Sequence, residues 1–345
     1  MFFIFLLSLL PLLADYPQVV GVGEPIIDYI YQVDDEFLDR YEEEKGGSRK
    51  IDYRTFVSYQ NILKEQQPSI IPGGSCAVTI KGLAKLGVNC RFIGKVGEDK
   101  SGDLFFHGLV HAGVIPQLLT TNTHTSLLLS LVTPDGQRTM RCCFGAANEL
   151  KPDELTYVRF LGATHVHLEG YCLYNDRIIH RAIKRAKQSG ATVSLDLSSF
   201  EVVRLFKEEI HYLLNGQVDV VFANEDEAYE LTGLPPREAC EMLRQICKVA
   251  VVLVGKEGCW VGSNDCVFQS KPPQVQVVDT IGAGDLFASG FLYGYVHGLP
   301  LPECARIGNL LGSTCVQTAG AEIPDALWET IFKQVPNFDI SSSDP

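Results

Sequence analysis

At 345 residues, with 46% hydrophobic and 21% charged side chains, the chain suits one large α/β domain with an appendage and can bury a sizeable core. Its formal net charge of −13 excludes a general nucleic-acid binder, which needs a basic face, but leaves room for a phosphorylated small ligand held by local positive potential. The 11 cysteines are scattered, odd in number and without a CxxC pair; they fit reduced, buried thiols of a cytoplasmic protein and neither a disulfide framework nor a zinc site.

Residues 1–14 form an apolar leader. Phe2–Leu13 is broken only by Ser8 and Pro11, is too short for a comfortable membrane span and lacks the basic start of a signal peptide. It is read as a weak signal, a membrane-associating leader or residues added by an upstream start, and is set outside the fold. The domain proper is expected over 15–336, followed by a frayed polar tail at 337–345.

From Gln18 onward the pattern alternates. Val19–Gly23, Arg91–Gly94, Thr164–Leu168, Thr192–Leu195, Val218–Phe222 and Val249–Val254 are short apolar or β-branched runs bounded by turn residues or charges, which predicts buried parallel strands. Helical stretches separate them, among them Gly74–Leu86, Lys100–Ala112, Asn175–Gln188 and Pro236–Ile246. The alternation predicts a parallel sheet with helices on both faces. Two stretches break the rhythm: Ile26–Gln67 is polar, and Ile115–Phe144 alternates in a way that suits antiparallel strands. Segments within 26–67 and 115–144 are read as a small β-rich lid, and the acidic runs Asp34–Glu36 and Glu42–Glu44 as solvated helix faces.

The strongest chemical signal is Asp279-Thr280-Ile281-Gly282-Ala283-Gly284-Asp285. It follows a β-like apolar segment, Val275–Val278, and opens a helical stretch, Asp285–His297. Small residues at a helix start let backbone N–H groups approach a phosphate closely. An aspartate there would repel the phosphate, so it makes sense as a base taking the proton of an attacking hydroxyl. The same residues also fit a glycine-rich turn with an N-capping Asp.

Asp279–Phe287 resembles the second signature of the ribokinase-like (PfkB) carbohydrate kinase family, DTxGAGDxF, without a mismatch. Gly73-Gly74-Ser75, Lys81–Gly87 and Gly94–Asp99 resemble the first. The two signatures lie about two hundred residues apart in the expected order, which chance seldom produces. Arg138-Thr139-Met140, Gly145–Leu150 and Leu168–Tyr171 look like the family's adenosine-kinase-like branch. The resemblance covers roughly Gln18 to Pro324. It implies an α/β, ribokinase-like three-layer sandwich with a central, mostly parallel sheet flanked by helices, plus the lid. It implies a kinase using ATP and Mg²⁺ on a sugar or nucleoside, and a cytosolic ATP supply favours the upstream-start reading of the leader.

By resemblance, Asp285 matches the catalytic base and Gly282, Ala283 and Gly284 the anion hole. Arg138 matches an arginine that closes over the transferring phosphate, or else a solvated strand arginine. Asn224 and Glu227 match an NxxE motif that organises Mg²⁺ through water, and fit a helix capping box equally well. Gly255 and Gly258 match a turn beside the nucleotide, and Asn309 a residue near adenine. Asp279 with the carbonyls of Ile281, Cys315, Thr318 and Gly320 resembles a monovalent-cation (K⁺) site. On the substrate side, Asp28 matches an aspartate that binds two sugar hydroxyls, Gly73, Gly74 and Ser75 the close-approach element, and Glu169 a group within reach of substrate. Glu24 and Val78 stand where the branch usually carries Asn, so the phosphate machinery looks intact and the sugar pocket altered.

The expected partners are a small sugar or nucleoside, with no nucleic acid and no stable membrane span, on a monomer or homodimer. The competing readings are a kinase for a non-nucleoside sugar such as ribose or fructose, a non-catalytic sugar or nucleoside binder on the same fold, and a dehydrogenase built on Gly21-Val22-Gly23, where Ile26 occupies the place of a third glycine. His107 with His111, and His165 with His167, have metal-ligand spacing but more often serve packing.

Overall fold

The structure, a computed structural model, describes residues 18–41, 45–175 and 177–338. The apolar leader, Glu42–Glu44 and the tail beyond residue 338 lie outside the described residues. In chain order the strands are β1 (Gln18–Val22), β2 (Ile26–Gln32), β3 (Ser48–Lys50), β4 (Ser69–Gly73), β5 (Asn89–Gly97), β6 (Ile115–Thr121), β7 (Ser126–Val132), β8 (Arg138–Cys143), β9 (His165–Glu169), β10 (Thr192–Asp196), β11 (Val220–Asn224), β12 (Val249–Leu253), β13 (Cys259–Ser263) and β14 (Val267–Ser270).

Nine strands form one sheet in the order β14-β13-β12-β11-β10-β9-β1-β5-β6. It is parallel from β12 to β6, with β13 and β14 added antiparallel at one edge. The short apolar runs arise because these strands are buried on both faces. Val19, Phe92, Phe222 and Val251 pack into a layer with helices Ser75–Lys85, Lys100–His111, Ala283–Val296 and Leu301–Cys315. Val20, Ile93, Val166, Val221 and Val252 face the other layer, with helices Ile178–Gln188, Phe200–Leu214, Glu225–Thr232 and Pro236–Leu243. Each such side chain contributes about 1.5–3 kcal/mol when fully buried, so both layers are tied firmly to the sheet. The helix Ser75–Lys85 meets Ala283–Val296 at Gly82, where a Cβ would sit 2.4 Å from Ser289 Oγ. Among the described residues no helix is long and apolar enough to cross a membrane.

The second sheet has five strands, ordered β3-β8-β7-β2-β4. The helix Tyr53–Ile62 starts at Asp52, whose carboxylate accepts the Thr55 N–H at 2.7 Å. It lays Phe56 edge-on against Tyr29 of β2, with ring centroids 5.4 Å apart. Two sequence expectations change here. Of Ile115–Phe144, only β7 and β8 form an antiparallel pair in the small sheet, whereas β6 runs parallel to β5 as an edge of the large one. Val275–Val278 is not a strand: residues 271–280 form no regular element, and Val277 and Val278 are 57% and 61% exposed. Apolar composition alone does not separate a strand from an exposed apolar loop.

The chain leaves β1 toward β5 and β6 on one side and later runs from β9 to β12 on the other. The carboxyl ends of β1 and β9 therefore flank the switch point, where sheets of this kind bind ligands. A buried polar cluster lies on β9 and β10. His165 bonds Thr192 Oγ1 (2.7 Å) and Ser194 Oγ (2.8 Å), and the same Ser194 hydroxyl bonds His167 Nδ1 at 2.8 Å. These histidines are buried and structural. Burial lowers His165 to about 4 and His167 to about 3, with the neighbouring His165 adding to the shift of His167. The unfolded chain takes up protons near pH 6.5 and the folded one only well below, so stability falls as pH drops through 6.5. Urea unfolding should show wild type losing about 2 kcal/mol more than His167→Gln between pH 7 and pH 5. Equal slopes would contradict a neutral, buried His167.

Candidate active site

Carboxylates gather at the carboxyl ends of the central strands. Glu24 follows β1, Asp28 lies on β2, and Glu169 and Asp196 end β9 and β10 as register partners. Glu227 lies one helical turn past β11, and Asp285 in the first turn of Ala283–Val296. Asp285 Oδ1 accepts a hydrogen bond from Ser75 Oγ at 2.6 Å. Its backbone carbonyl accepts the Thr79 hydroxyl at 3.1 Å, which locks the two helix starts together. Burial lifts the Asp285 carboxyl to about 6, and the Ser75 bond opposes that rise.

The turn before this helix is built for close approach. Gly282 has φ 72°, and a Cβ there would meet Ala321 Cβ at 2.5 Å, so the fold itself requires glycine. Gly284 differs: a Cβ would meet only Leu253 Cδ1, at 3.6 Å. A helical glycine is unfavourable by roughly 0.5–1 kcal/mol relative to alanine, so an open cradle in front of Gly284 accounts for it better than packing does. The first-turn amides of Gly284 and Asp285 lack intrahelical acceptors, as at any helix start, while the Ala283 N–H reaches the Thr280 carbonyl at 3.3 Å.

Asp28 lies against Gly73, where a Cβ would fall 2.6 Å from Asp28 Oδ2. Asp28 Oδ1 is buried without a partner. Burial raises this carboxyl to about 7, opposed by the charges of Lys81 and Arg138 and reinforced by that of Asp285. Gly74 has φ 97°, caps the helix Ser75–Lys85 and fits tightly over the Glu24 carbonyl.

Glu169 is held from behind. Its two oxygens accept the backbone N–H groups of Glu24 and Cys76, both at 2.6 Å, so it ties the end of β1 to the helix Ser75–Lys85. Burial raises it to about 7, against those two amide bonds. Glu24 is 9% exposed, and its Oε1 has no partner. Burial, reinforced by Glu169, lifts it to about 8. Val78 is buried in the apolar core cluster.

On the far side, Asn224 and Glu227 form a reciprocal capping box: Asn224 Oδ1 accepts the Glu227 N–H (2.9 Å) and Glu227 Oε2 accepts the Asn224 N–H (2.8 Å). The capping reading of the sequence thus holds in full, and it leaves room for a metal role. Burial pushes Glu227 to about 7, and Asp285 adds to the rise; Asp196 is driven well above the usual carboxylate range by burial and by the charges of Glu227 and Asp285. Asp196 was missed in the sequence, where an acidic residue closing a buried strand was its only signal. No cluster of three or more His, Cys, Asp or Glu side chains able to hold a metal directly occurs among the described residues. The mutual repulsion of these carboxylates fits a divalent cation held through water.

Gly255 (φ 52°) and Gly258 (φ 89°) form the turn from β12 to β13, and Asn309 donates to Ser270 Oγ at 3.0 Å at the end of β14. Arg138, on β8, reaches out of the small sheet to Asp279 Oδ2 at 2.5 Å. It is not a solvated strand arginine: its side chain is 16% exposed, and Nη1 is buried without an acceptor. Gly21 serves strand–helix packing, with a Cβ falling 2.4 Å from Ile80 Cγ1, so it forms no dinucleotide turn. His107 and His111 are exposed on their helix.

Residues 47–327 match the profile of the pfkB family carbohydrate kinases. The chain belongs to this family. It is 30% identical over 299 residues to a ribokinase of Arabidopsis thaliana, covering 78% of this chain and 76% of that one. The crystal structure of an adenosine kinase from Sinorhizobium meliloti superposes with a TM-score of 0.83 at 32% identity, over 93% of this chain and 99% of the other. A probable sugar kinase from Rhizobium etli gives 0.85 at 31% identity, over 93% and 98%. The ribokinase-like α/β fold and a phosphotransferase activity on hydroxyl acceptors follow, within the sugar and nucleoside kinases. Kinases of this family use ATP and Mg²⁺.

The carboxylates give this kinase a characteristic pH response. Glu24 binds its proton more tightly when folded, so its stabilising contribution is present below about pH 4.5 and is lost as pH rises through about 8. Between pH 6 and pH 8.5 thermal or urea unfolding should show wild type losing about 2 kcal/mol relative to Glu24→Gln. A Glu24→Gln variant with the wild-type slope would show that Glu24 is ionised and paired in the folded state.

Proposed function

We propose that this chain is an ATP-dependent kinase that passes the γ-phosphoryl group to a primary hydroxyl of a sugar or nucleoside, with Asp285 as general base. The observation that carries this reading is Asp285 itself: a carboxylate of raised proton affinity at the mouth of an open helix N-terminus, with one oxygen held by Ser75 and the other free. Asp28, Gly73, Gly74 and Ser75 hold the sugar. The Asp28 oxygen without a partner accepts a hydrogen bond from a sugar hydroxyl. Gly282, Ala283 and Gly284 present amides to the transferring group. Gly255, Gly258 and Asn309 border the nucleotide. Asn224, Glu227 and Asp196 would hold Mg²⁺, which when bound would supply charge neutralisation to the phosphate oxygens. The small sheet, carrying Asp28 and Arg138, acts as the lid that excludes water.

In the chemical step the acceptor oxygen bonds to the γ-phosphorus, its proton passes to Asp285, and the bond to the β-phosphate oxygen breaks with ADP taking the electron pair. Arg138 offers its unpartnered Nη1 to the transferring group. Asp285→Asn should fold normally and lose about 10²–10⁴ in kcat. Turnover within tenfold of wild type would remove Asp285 from the role. Because the carboxyl titrates at about 6, kcat/KM should rise with pH through that value and then level off.

The substrate pocket favours an acceptor other than adenosine. A family Asn can donate and accept, whereas Glu24 brings a buried carboxyl and Val78 packs into the apolar core and has no group to offer a hydroxyl. An acceptor that donates a hydrogen bond to Glu24 fits this pair. Glu24→Asn should raise KM for the preferred sugar by about tenfold, one lost buried hydrogen bond, and improve adenosine as substrate. An unchanged ratio of kcat/KM for the two acceptors would take Glu24 out of specificity.

A further inference from the structure

The sequence resemblance puts a monovalent cation among Asp279 and the carbonyls of Ile281, Cys315, Thr318 and Gly320, and the structure offers that cation a poor set of ligands. Asp279 Oδ1 accepts the Ile281 N–H at 3.1 Å. Asp279 Oδ2 accepts both the Gly320 N–H at 2.8 Å and Arg138 Nη2 at 2.5 Å. The Ile281 carbonyl accepts the Cys315 thiol, with Sγ at 3.3 Å, and the same sulfur lies 3.9 Å from the Gly320 carbonyl. The Cys315 carbonyl accepts the Thr318 N–H at 3.0 Å and its hydroxyl at 3.1 Å. K⁺ is held by a ring of oxygen lone pairs that replace its hydration shell. Here both oxygens of Asp279 and the carbonyls of Ile281 and Cys315 already face protein donors, and a guanidinium brings a full positive charge to the one carboxylate. A second cation beside Arg138 would be repelled.

We infer that the Arg138 guanidinium takes the place of the monovalent cation, fixing the Asp279–Gly284 loop and making this kinase indifferent to K⁺. The inference rests on reading that loop as the anion hole. Two features of the guanidinium bear on it. One arm, Nη2, anchors Asp279, while Nη1 is buried without an acceptor and stays available to an anion. Arg138 also arrives from β8, in the small sheet, whereas Asp279 belongs to the loop that opens the Ala283–Val296 helix. A diffusible ion would set this loop whatever the position of the small sheet. Arg138 sets it only when that sheet is seated, so closure and assembly of the anion hole become one event.

The test compares the full chain in KCl and in tetramethylammonium chloride at equal ionic strength. Two quantities are read: the thermal midpoint without nucleotide, and the affinity for MgADP by calorimetry. Wild type should give the same values in both salts. Arg138→Met should bind MgADP more weakly in tetramethylammonium and recover about fivefold or more of that affinity, with a higher midpoint, as K⁺ is titrated in. Arg138→Gln gives the same reading should the methionine variant fail to fold. A saturable K⁺ response in wild type overturns the inference, and so does a folded Arg138→Met that stays indifferent to K⁺. The midpoint requires neither nucleotide nor turnover. A chain that phosphorylated no acceptor would therefore overturn the proposed function, while the midpoints would still decide the role of Arg138.

Discussion

Buried negative charge is the constraint around which this molecule is arranged. Six carboxyls, Glu24, Asp28, Glu169, Asp196, Glu227 and Asp285, converge at the carboxyl edge of the large sheet, and each is pushed above its ordinary range chiefly by burial. Arg138 and Lys81 are the cations whose charges oppose the rise at Asp28. Left to themselves, such groups neutralise by taking up protons or find donors. Glu169 takes the second route with two backbone amides, and Glu227 does so through its capping box. Glu24 and Asp28 retain buried oxygens without partners. A site that keeps such groups is unfavourable for the empty protein and favourable for one holding donors or cations, which is the logic of a binding site.

The two layers of helices make that arrangement possible. Close contact at Gly82 and Ser289 brings the starts of Ser75–Lys85 and Ala283–Val296 together, so that Ser75 and Asp285 meet at hydrogen-bond distance. The Thr79 hydroxyl on the Asp285 carbonyl fixes the same junction from behind. Geometry held by packing is geometry that need not reorganise during reaction. The small sheet is joined to this rigid frame by the Arg138–Asp279 pair across the site. Lys81 adds a nearby tie, donating to the Pro72 carbonyl at 2.9 Å and to Glu322 at 2.8 Å.

Local signals were legible in the sequence and long-range ones were not. Buried parallel strands announce themselves because both faces are apolar, and the Asp279–Asp285 loop because its small residues and its aspartate answer to one chemistry. The sheet to which β6 belongs depends on pairing with β5, which no local alternation reveals. Val275–Val278 reads as a strand by composition, yet it is an exposed loop. Glu169 was recognisable as a site residue, but its role turns on amides 145 and 93 residues away in sequence. The surroundings of Asp279 were hidden for the same reason: carbonyls leave little trace in sequence, and the guanidinium that meets this carboxylate comes from another sheet. Asp196 went unnoticed because its meaning lies in its neighbours Glu227 and Asp285.

Phosphoryl transfer to a sugar or nucleoside hydroxyl is the work this buried carboxyl edge is proposed to perform. The most direct measurement is to follow γ-labelled ATP with the full chain, Mg²⁺ and a panel of nucleosides, ribose, fructose and related sugars, and to locate the label. Label is expected on the primary hydroxyl of at least one acceptor, with ADP formed in equal amount. Label found only in inorganic phosphate, or retained wholly in ATP by a protein that binds both nucleotide and sugar, would contradict that role.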